Sequence, residues 1–341
     1  MKVLERLGHD VQFLNYWPLH RRIAREKYFY GMSRRGMVIN ALKLLHYTQL
    51  KLKKQRFNDF RSEYFKCTRE YHDLEEIQKE VPICDAYVVG SDQVWNPIKF
   101  DPVYGLPFAQ ERGIRTIGYA PSFGECSLDA EQERIMKPLL GKIDFLSCRE
   151  EQGAKIISGL TGRECKNVLD PVLLQTKEEW AEVIGEPIID NKYLLVYALR
   201  RRAHMEENIA KISKKTGLKT VLIVGENPAA RGFIKADKVM WSAGPKEFLN
   251  LFYHAQAVCT NSFHGTAFST IFQKPFFVFS HTREDYRAIN LMNMLGLKDR
   301  IIQIGESPKR DIFDIDFKLS KKYYEERIKE SKEYLTNALS L

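Results

Sequence analysis

The sequence predicts an α/β protein made of two Rossmann-like halves with parallel sheets. Short apolar and β-branched runs alternate with amphipathic stretches, as expected for strands that alternate with helices. With 341 residues, 44% of them hydrophobic, the chain is long enough for two packed domains. A polar, Pro-containing stretch from Gln175 to Lys192 interrupts this alternation and predicts the boundary between the halves.

The predicted strands are apolar runs that end in polar or turn-forming residues. They cover 86–91, 115–122, 145–150, 193–199, 220–225 and 257–264. Helices are predicted at 128–143 and 204–217, and the second closes on Gly217, since helices often end at a glycine. The segment 319–341 contains neither Pro nor Gly, so we expect a long amphipathic helix packed back on one of the domains.

Residues 20–66 form a basic segment in which Lys and Arg alternate with Tyr, Phe, Leu and Met. We expect a helical insertion in a first domain of residues 1–180, followed by a second domain, 190–318, and the helix 319–341. The insertion is either a solvated helix face or an electrostatic dock for an anionic lipid surface or a lipid-linked diphosphate sugar. Nucleic acid is not expected as a partner, because no recognised binding motif accompanies the charge.

Composition narrows the class of protein. The net charge of +9 favours acidic partners. The six cysteines include no CxxC pair and predict reduced thiols in a cytosolic protein. Neither a spanning apolar stretch of roughly 20 residues nor a signal pattern is found, so we expect a cytoplasmic protein, with membrane association left open.

Ligands of parallel α/β sheets bind at the carboxyl ends of strands, so polar residues that follow an apolar run are the candidate site residues. The first such place is AYVVGSDQVWNP, which supplies Ser91, Asp92, Gln93, Trp95 and Asn96. A carboxylate there can accept the proton of an attacking hydroxyl, and a Trp face suits a sugar ring. The alternative is a plain turn in which Asp92 bonds to backbone amides.

The second place is FLSCREEQ, where a predicted strand ends at Arg149 just before a helix. An arginine there can bind a carboxylate or phosphate with two hydrogen bonds, or can form an ion pair with Glu150 or Glu151. The other arginines considered, 200–202, Arg283, Arg287 and Arg300, are interpreted mostly as surface charges.

The third place is AVCTNSFHGTAFSTIF, in which a strand runs into Asn261 and Ser262, and His264 and Gly265 open a short helix. Free amide hydrogens and the positive end of the dipole make a helix N-terminus an anion site, and here an imidazole lies beside it. The sequence lacks GxGxxG, Walker A, HExxH and GxSxG motifs and any spaced acidic metal cluster. These absences disfavour nicotinamide, ATP-hydrolysing, zinc and serine-hydrolase chemistry.

The ordered set of motifs resembles the polysaccharide pyruvyl transferase family over residues 80 to 300. The motifs are DAYVVGSDQVWNP, RTIGYAPSFG, SCREEQGAKII, VLDPVLL and TNSFHGTAFSTIFQKPFFVF. The resemblance implies two domains in a GT-B-like arrangement and transfer of the enolpyruvyl unit of phosphoenolpyruvate to sugar hydroxyls, commonly as a pyruvate ketal. It implies no metal or nicotinamide cofactor, and a cell-surface polysaccharide or its lipid-linked precursor as acceptor.

The resemblance also implies roles for single residues. Arg149 would hold the anionic donor, and His264, with the backbone of Ser262 and Gly265, would contact phosphoenolpyruvate. Chemistry suggests that His264 protonates the enol methylene and that Asp92 accepts the proton of the attacking hydroxyl.

Family members begin with a strand, a glycine-containing loop and a helix. This chain begins MKVLERLGHDVQFLNY, which reads as the tail of that helix followed by the second strand. The resemblance therefore implies that the first N-terminal strand is missing. Two other functions stay open: a GT-B glycosyltransferase that uses a nucleotide sugar, and a non-catalytic sugar-binding protein of a polysaccharide gene cluster.

Overall fold

The computed structural model of the chain describes residues 1–18, 34–124, 127–199, 203–225, 234–280 and 286–340. The chain divides into two compact units, and every strand pair in both is parallel. The described residues of Met1–Glu26, Lys66–Leu174 and Tyr324–Leu341 form unit 1, and those of Lys27–Phe65 and Gln175–Tyr323 form unit 2. The predicted α/β class with two Rossmann-like halves is confirmed.

The elements alternate as the sequence predicts. The described strands are β1 Phe13–Tyr16, β2 Cys67–Tyr71, β3 Ala86–Val89, β4 Arg115–Gly118, β5 Ser147–Cys148, β6 Lys166–Asn167, β7 Tyr193–Tyr197, β8 Lys219–Ile223, β9 Lys238–Met240, β10 Ala257–Thr260, β11 Phe276–Phe279 and β12 Ile301–Ile302. The described α-helices are α1 Lys2–Arg6, α2 Arg34–Leu45, α3 Tyr47–Tyr64, α4 Leu74–Lys79, α5 Pro107–Gln110, α6 Ala130–Leu140, α7 Glu151–Thr161, α8 Lys177–Ala181, α9 Ala203–Thr216, α10 Pro245–His254, α11 Phe263–Ile271, α12 Tyr286–Met294 and α13 Phe317–Leu339.

Unit 1 contains three parallel strand pairs, β1 with β2, β3 with β4, and β5 with β6. The second and third pairs are joined because the Gly118 amide donates to the Phe145 carbonyl at 2.8 Å. Buried side chains of β3, α5, α6 and α7 pack around Trp95 in one apolar core. The carboxyl ends of β3, β4 and β5 are therefore held side by side.

The C-terminal part of α13 is fastened to unit 1 by side-chain hydrogen bonds. The Tyr324 hydroxyl donates to the Leu173 carbonyl at 2.6 Å, and the Tyr334 hydroxyl donates to the Gly118 carbonyl at 2.9 Å. Between them, the Leu169 amide donates to the Ser331 hydroxyl at 2.9 Å. The predicted long terminal helix thus packs back on the unit that contains β4.

Unit 2 is a six-stranded parallel sheet in the order β12-β11-β10-β7-β8-β9. The chain places β8 and β9 on one side of β7 and returns to place β10, β11 and β12 on the other. Strand order therefore reverses between β7 and β10, and in open α/β sheets ligands bind at such a switch point, outside the carboxyl ends of the strands. The α9 helix ends at Thr216, and Gly217 follows with φ +70°, as its sequence predicts.

The described part of the basic segment, residues 34–65, groups with unit 2 and not with the first half. The cause is a set of polar contacts from α3. Lys53 Nζ donates to the carbonyls of Val224 and Gly225 at 2.5 and 3.0 Å, at the end of β8. Arg56 forms an ion pair with Glu247 at 3.1 Å. Part of the charge therefore fastens α3 to the second sheet.

Arg300 corrects one expectation. Its side chain is fully buried, and its guanidinium donates to the backbone carbonyls of Phe276, Asp311, Ile312 and Asp314. It is thus a structural connector between β11 and the segment that follows β12, because a buried guanidinium needs partners for its donors. The arginines at 200–202 and Arg283 lie outside the described residues.

Candidate functional site

The turn after β3 is shaped by backbone requirements. A Cβ added at Gly90 would lie 2.0 Å from the Tyr119 carbonyl oxygen, so only glycine fits there. Asp92 has φ 65° and ψ −171°, a region that residues with a Cβ rarely adopt. Its carbonyl accepts the amides of Val94 at 2.8 Å and Ser122 at 2.6 Å. The surrounding contacts impose this conformation, and the Asp92 side chain is left 67% exposed.

Behind Asp92 lies a buried ionic network centred on Arg149. Its Nη1 donates to Asp170 Oδ2 at 2.6 Å, and its Nε donates to Glu150 Oε1 at 3.2 Å. Its Nη2 lies 3.7 Å from Asp92 Oδ1. The Ser91 hydroxyl, 2.7 Å from Asp170 Oδ2, ties the turn to the same carboxylate. One buried cation thus connects three carboxylates of which only one reaches solvent.

Glu150 is also fixed on its other side. It accepts the Ser122 hydroxyl at 2.6 Å and the Phe123 amide at 3.0 Å. Buried charges are stable only when paired and hydrogen-bonded, and this network satisfies both conditions for Glu150 and Asp170. Burial alone would lower the pKa of Arg149, but attraction to Asp170, Glu150 and Asp92 outweighs burial and raises it. The guanidinium therefore stays charged.

The sequence left two alternatives for Arg149, an anion ligand or an ion pair with Glu150 or Glu151. The structure forms the pair with Glu150, whereas Glu151 instead pairs with Lys155 at 2.6 Å. Sequence reasoning missed Asp170 as a partner, although VLDPVLL was among the recognised motifs. Its only local signal is a carboxylate directly after an apolar run. Contact of Arg149 with a donor anion stays a prediction.

The remaining residues of the first motif serve mainly to build this turn. Trp95 is completely buried, and its indole Nε1 donates to the Tyr104 carbonyl at 3.0 Å. We therefore place its ring in the core of unit 1, and its expected use as a sugar platform is corrected. Asn96 is also buried and accepts the Ile98 amide at 3.0 Å, which caps the next turn. Gln93 is partly exposed, so its side chain, like that of Asp92, is accessible to a ligand.

The third motif lies in unit 2 at the carboxyl end of β10, beside the end of β7. Asn261 Oδ1 accepts the Leu199 amide at 2.6 Å. The Thr260 hydroxyl donates to the Tyr197 carbonyl at 2.6 Å and accepts the Ser262 amide at 3.1 Å. These bonds connect the two strand ends at the switch point. Asn261 and Ser262 are buried, and their contact with a ligand stays a prediction.

Helix α11 begins at this corner. Its N-cap, Ser262, makes no side-chain cap bond to the helix, and the Ser262 carbonyl accepts the Thr266 amide at 2.9 Å. Between residues 261 and 272, His264 is the one residue that is not buried. A Cβ at Gly265 would lie 2.2 Å from Thr260 Oγ1, so glycine permits the helix to pack closely on β10. The corner therefore presents an imidazole at a helix N-terminus.

The structure thus places the predicted residues in two groups. Ser91, Asp92 and Arg149 are brought together in unit 1, and Asn261, Ser262, His264 and Gly265 are brought together in unit 2. Within the described part of the chain, no group of three His, Cys, Asp or Glu side chains is arranged to hold a metal ion.

The cysteines fit a packing role. The five described ones are free, and Cys148, Cys165 and Cys259 are buried. Burial raises the pKa of the Cys165 thiol to about 12 and shifts those of Cys148 and Cys259 in the same direction.

None of the described helices combines the length and the apolar character that crossing a bilayer requires.

The sequence profile described as polysaccharide pyruvyl transferase matches residues 1–283, most of the chain and both motif groups. The chain belongs to the polysaccharide pyruvyl transferase family. This match confirms the resemblance that the ordered motifs indicated. The family is one of transferases. No curated protein matches this family member in sequence.

Several solved structures are similar to this pyruvyl transferase family member. The UDP-GlcNAc 2-epimerase of Neisseria meningitidis is 15% identical, with 78% of each chain covered and a TM-score of 0.46. A putative UDP-N-acetylglucosamine 2-epimerase of Listeria monocytogenes is 14% identical, with 86% of this chain and 80% of that chain covered and a TM-score of 0.47. UGT89C1 of Arabidopsis thaliana is 13% identical, with 89% of each chain covered and a TM-score of 0.41.

Proposed function

We propose that the protein transfers the enolpyruvyl unit of phosphoenolpyruvate to hydroxyls of a cell-surface polysaccharide or of its lipid-linked precursor, forming a pyruvate ketal. The observation that carries this proposal is the position of His264. It is the one partly exposed residue of an otherwise buried helix start, at the switch point of the second sheet. Family membership supplies the reaction class.

The donor half of the reaction uses unit 2. The N-terminus of α11 lies at the positive end of the helix dipole, which suits the phosphate or carboxylate of phosphoenolpyruvate. A protonated His264 then delivers its proton to the enol methylene. The central carbon becomes an oxocarbenium-like electrophile, and His264 is left neutral.

The acceptor half uses a carboxylate. A sugar hydroxyl attacks the electrophilic carbon, and Asp92 accepts its proton. Its exposure and its tether to Arg149 support this role, because a general base must be accessible and held in position. The carbon–oxygen bond to phosphate then breaks, and a second hydroxyl closes the ketal. Of the two hydroxyl protons, one returns to the imidazole and the other leaves with phosphate, so the reaction is balanced.

Isotope transfer tests the proposal. The protein is incubated with phosphoenolpyruvate labelled in the pyruvyl carbons and a panel of polysaccharides and lipid-linked oligosaccharides, and in parallel with labelled UDP-sugars. We expect label in the saccharide from phosphoenolpyruvate only. Transfer from a UDP-sugar would support the glycosyltransferase alternative and overturn the proposal. Binding of phosphoenolpyruvate without transfer to any acceptor would favour a non-catalytic protein.

Two variants test the residue assignment separately. His264→Gln should reduce transfer at least about a hundredfold, the lower end of the usual contribution of a general acid. Asp92→Asn should have a similar effect, with donor binding measured by calorimetry almost unchanged. Exposed residues serve as matched controls, His9→Gln and Asp85→Asn, and should keep normal turnover. Near-normal transfer by His264→Gln would remove His264 from the mechanism while leaving the reaction class standing.

A further inference from the structure

The helices α2 and α3 meet at His46 and form an exposed corner on unit 2. One side of α3 is fixed to the unit. Besides the bonds of Lys53 and Arg56, Lys246 pairs with Glu63 at 2.7 Å, and the His46 ring stacks on Trp241 at 3.8 Å. These contacts use one stripe of the helix along its whole length. The opposite face is therefore held in a defined orientation.

The solvent-facing side of this corner combines exposed apolar side chains with polar ones, which include Thr48, Gln55 and Asn58. Leu44 and Leu45 are 62% and 76% exposed, and Tyr47 and Leu52 are 47% and 40% exposed. Lys51 and Lys54 are exposed beside them. We call these six residues the exposed corner. Scattered single apolar side chains are normal on protein surfaces, whereas four exposed ones within a short segment that also exposes lysines favour a binding surface.

Charge favours one kind of partner. Residues 34–65 carry eight basic side chains against two acidic ones. The basic residues are Arg34, Arg35, Lys43, Lys51, Lys53, Lys54, Arg56 and Arg61, and the acidic ones are Asp59 and Glu63. Glu63 is already paired with Lys246. Strong positive charge of this kind attracts an anionic surface and opposes self-association, because a two-fold contact would bring two such basic segments together.

The apolar part distinguishes a bilayer from other polyanions. A nucleic acid or an acidic polysaccharide offers phosphates or carboxylates, but it has no hydrocarbon layer in which leucines can be buried. An anionic bilayer offers both, with charge at the headgroups and an acyl boundary beneath them. The combination of two leucines at the corner, a tyrosine and a further leucine on α3, and two lysines matches that layered chemistry.

We propose that the exposed corner docks the protein onto the surface of a bilayer rich in anionic lipids, with Leu44, Leu45 and Leu52 in the headgroup boundary and Lys51 and Lys54 on the lipid phosphates. This interaction is independent of the proposed transferase reaction, because no residue of either motif group takes part. It would bring the protein to the surface that carries lipid-linked saccharides.

Vesicle co-sedimentation tests the proposal with the full chain. We expect binding to vesicles of equal parts phosphatidylcholine and phosphatidylglycerol, no binding to phosphatidylcholine alone, and weaker binding as salt is raised. Lys51→Glu with Lys54→Glu should lower the affinity by more than roughly 25-fold, since the loss of each basic residue near such a surface costs a factor of about five and each glutamate adds repulsion. Leu44→Ser with Leu45→Ser should lower it by about tenfold at unchanged charge.

Matched controls change equivalent residues elsewhere. Lys309→Glu with Lys332→Glu makes the same change in charge, and Ile83→Ser with Ile304→Ser removes two exposed aliphatic side chains. Both should retain most of the binding. The proposal is overturned if the wild-type protein ignores anionic vesicles at low salt, or if corner and control variants lose binding equally. Binding to soluble heparin that depends on the lysines but not the leucines, without vesicle binding, would also overturn it.

Discussion

Arg149 Nη1 lies 2.6 Å from Asp170 Oδ2, and both side chains are almost completely buried. Through this contact, a residue at the end of β5 is joined to one that follows β6, and Ser91 on the turn after β3 shares the same carboxylate. The candidate base Asp92 is thus oriented by an ionic network beneath it, an arrangement that supports a preorganised site.

Arg149→Lys separates two roles of this arginine. Lysine keeps the charge but cannot reach Asp170, Glu150 and Asp92 at once, because it lacks the planar fork of donors. If Arg149 orients Asp92, kcat should fall by about tenfold or more while KM for phosphoenolpyruvate changes little. A KM for the donor that rises with kcat unchanged would instead indicate direct contact with the donor anion. Arg134→Lys, in an exposed pair with Glu131, is the control and should be neutral.

Asp170→Asn should destabilise the protein because it removes one of the two buried charges that compensate Arg149. We expect a loss of about 2 kcal/mol, less than for an arginine left with no buried partner, since Glu150 remains. The measurement is the free energy of unfolding of the single variant and of Asp170→Asn with Arg149→Met. The double variant should be more stable than the sum of the two single effects predicts; simple additivity would argue against a coupled network.

Gly265→Ala tests the close approach of α11 to β10. The added Cβ would lie 2.2 Å from Thr260 Oγ1, so the helix must shift, at a cost of about 1–3 kcal/mol. Thr260→Ala should recover part of that loss by removing the clashing atom. Gly159→Ala is the matched control, because it lies in helix α7 with open space around its Cβ. That substitution should stabilise the protein by roughly 0.5–1 kcal/mol. Equal thermal midpoints of the two glycine variants would contradict this account.

Lys274 predicts a pH effect in unit 2. Burial, and secondarily repulsion from Lys177, lower its pKa from 10.5 to about 8. Between these two values the unfolded chain binds the proton and the folded chain does not, so the contribution of this residue to stability rises with pH across that window. Lys274→Met removes the penalty. Its thermal midpoint should exceed that of the wild type most clearly below pH 8, with the gap closing toward pH 10. A gap that is constant with pH, as expected for the exposed control Lys309→Met, would contradict the assignment.

The sequence predicts the strands and both polar corners because these features are local. The apolar run that ends at Gly90 and the one that ends at Asn261 each show the strand and its polar end within a few residues. Partners that are distant in sequence are not visible in this way. Asp170 is 21 residues from Arg149, and the local sequence around either residue does not indicate that the two form an ion pair.

Burial is the second property that sequence does not reveal. Trp95 lies among polar residues, a pattern shared by sugar platforms and by core residues whose indole finds a carbonyl. Arg300 resembles a surface arginine until the four carbonyls around it are known. In both cases the decisive groups come from backbone that only the folded chain brings near.

The backbone conformation of Asp92 is unfavourable for stability, whereas its carboxylate is the proposed general base. Its φ of 65° and ψ of −171° suit glycine better than any residue with a side chain. Asp92→Gly should therefore raise the thermal midpoint and abolish pyruvyl transfer in the same variant. Arg149 would keep both of its buried partners, so no new unpaired charge opposes the gain. Selection for stability alone would favour glycine at this position. The gain in stability of Asp92→Gly therefore measures how much stability is given up for the carboxylate that the proposed reaction uses.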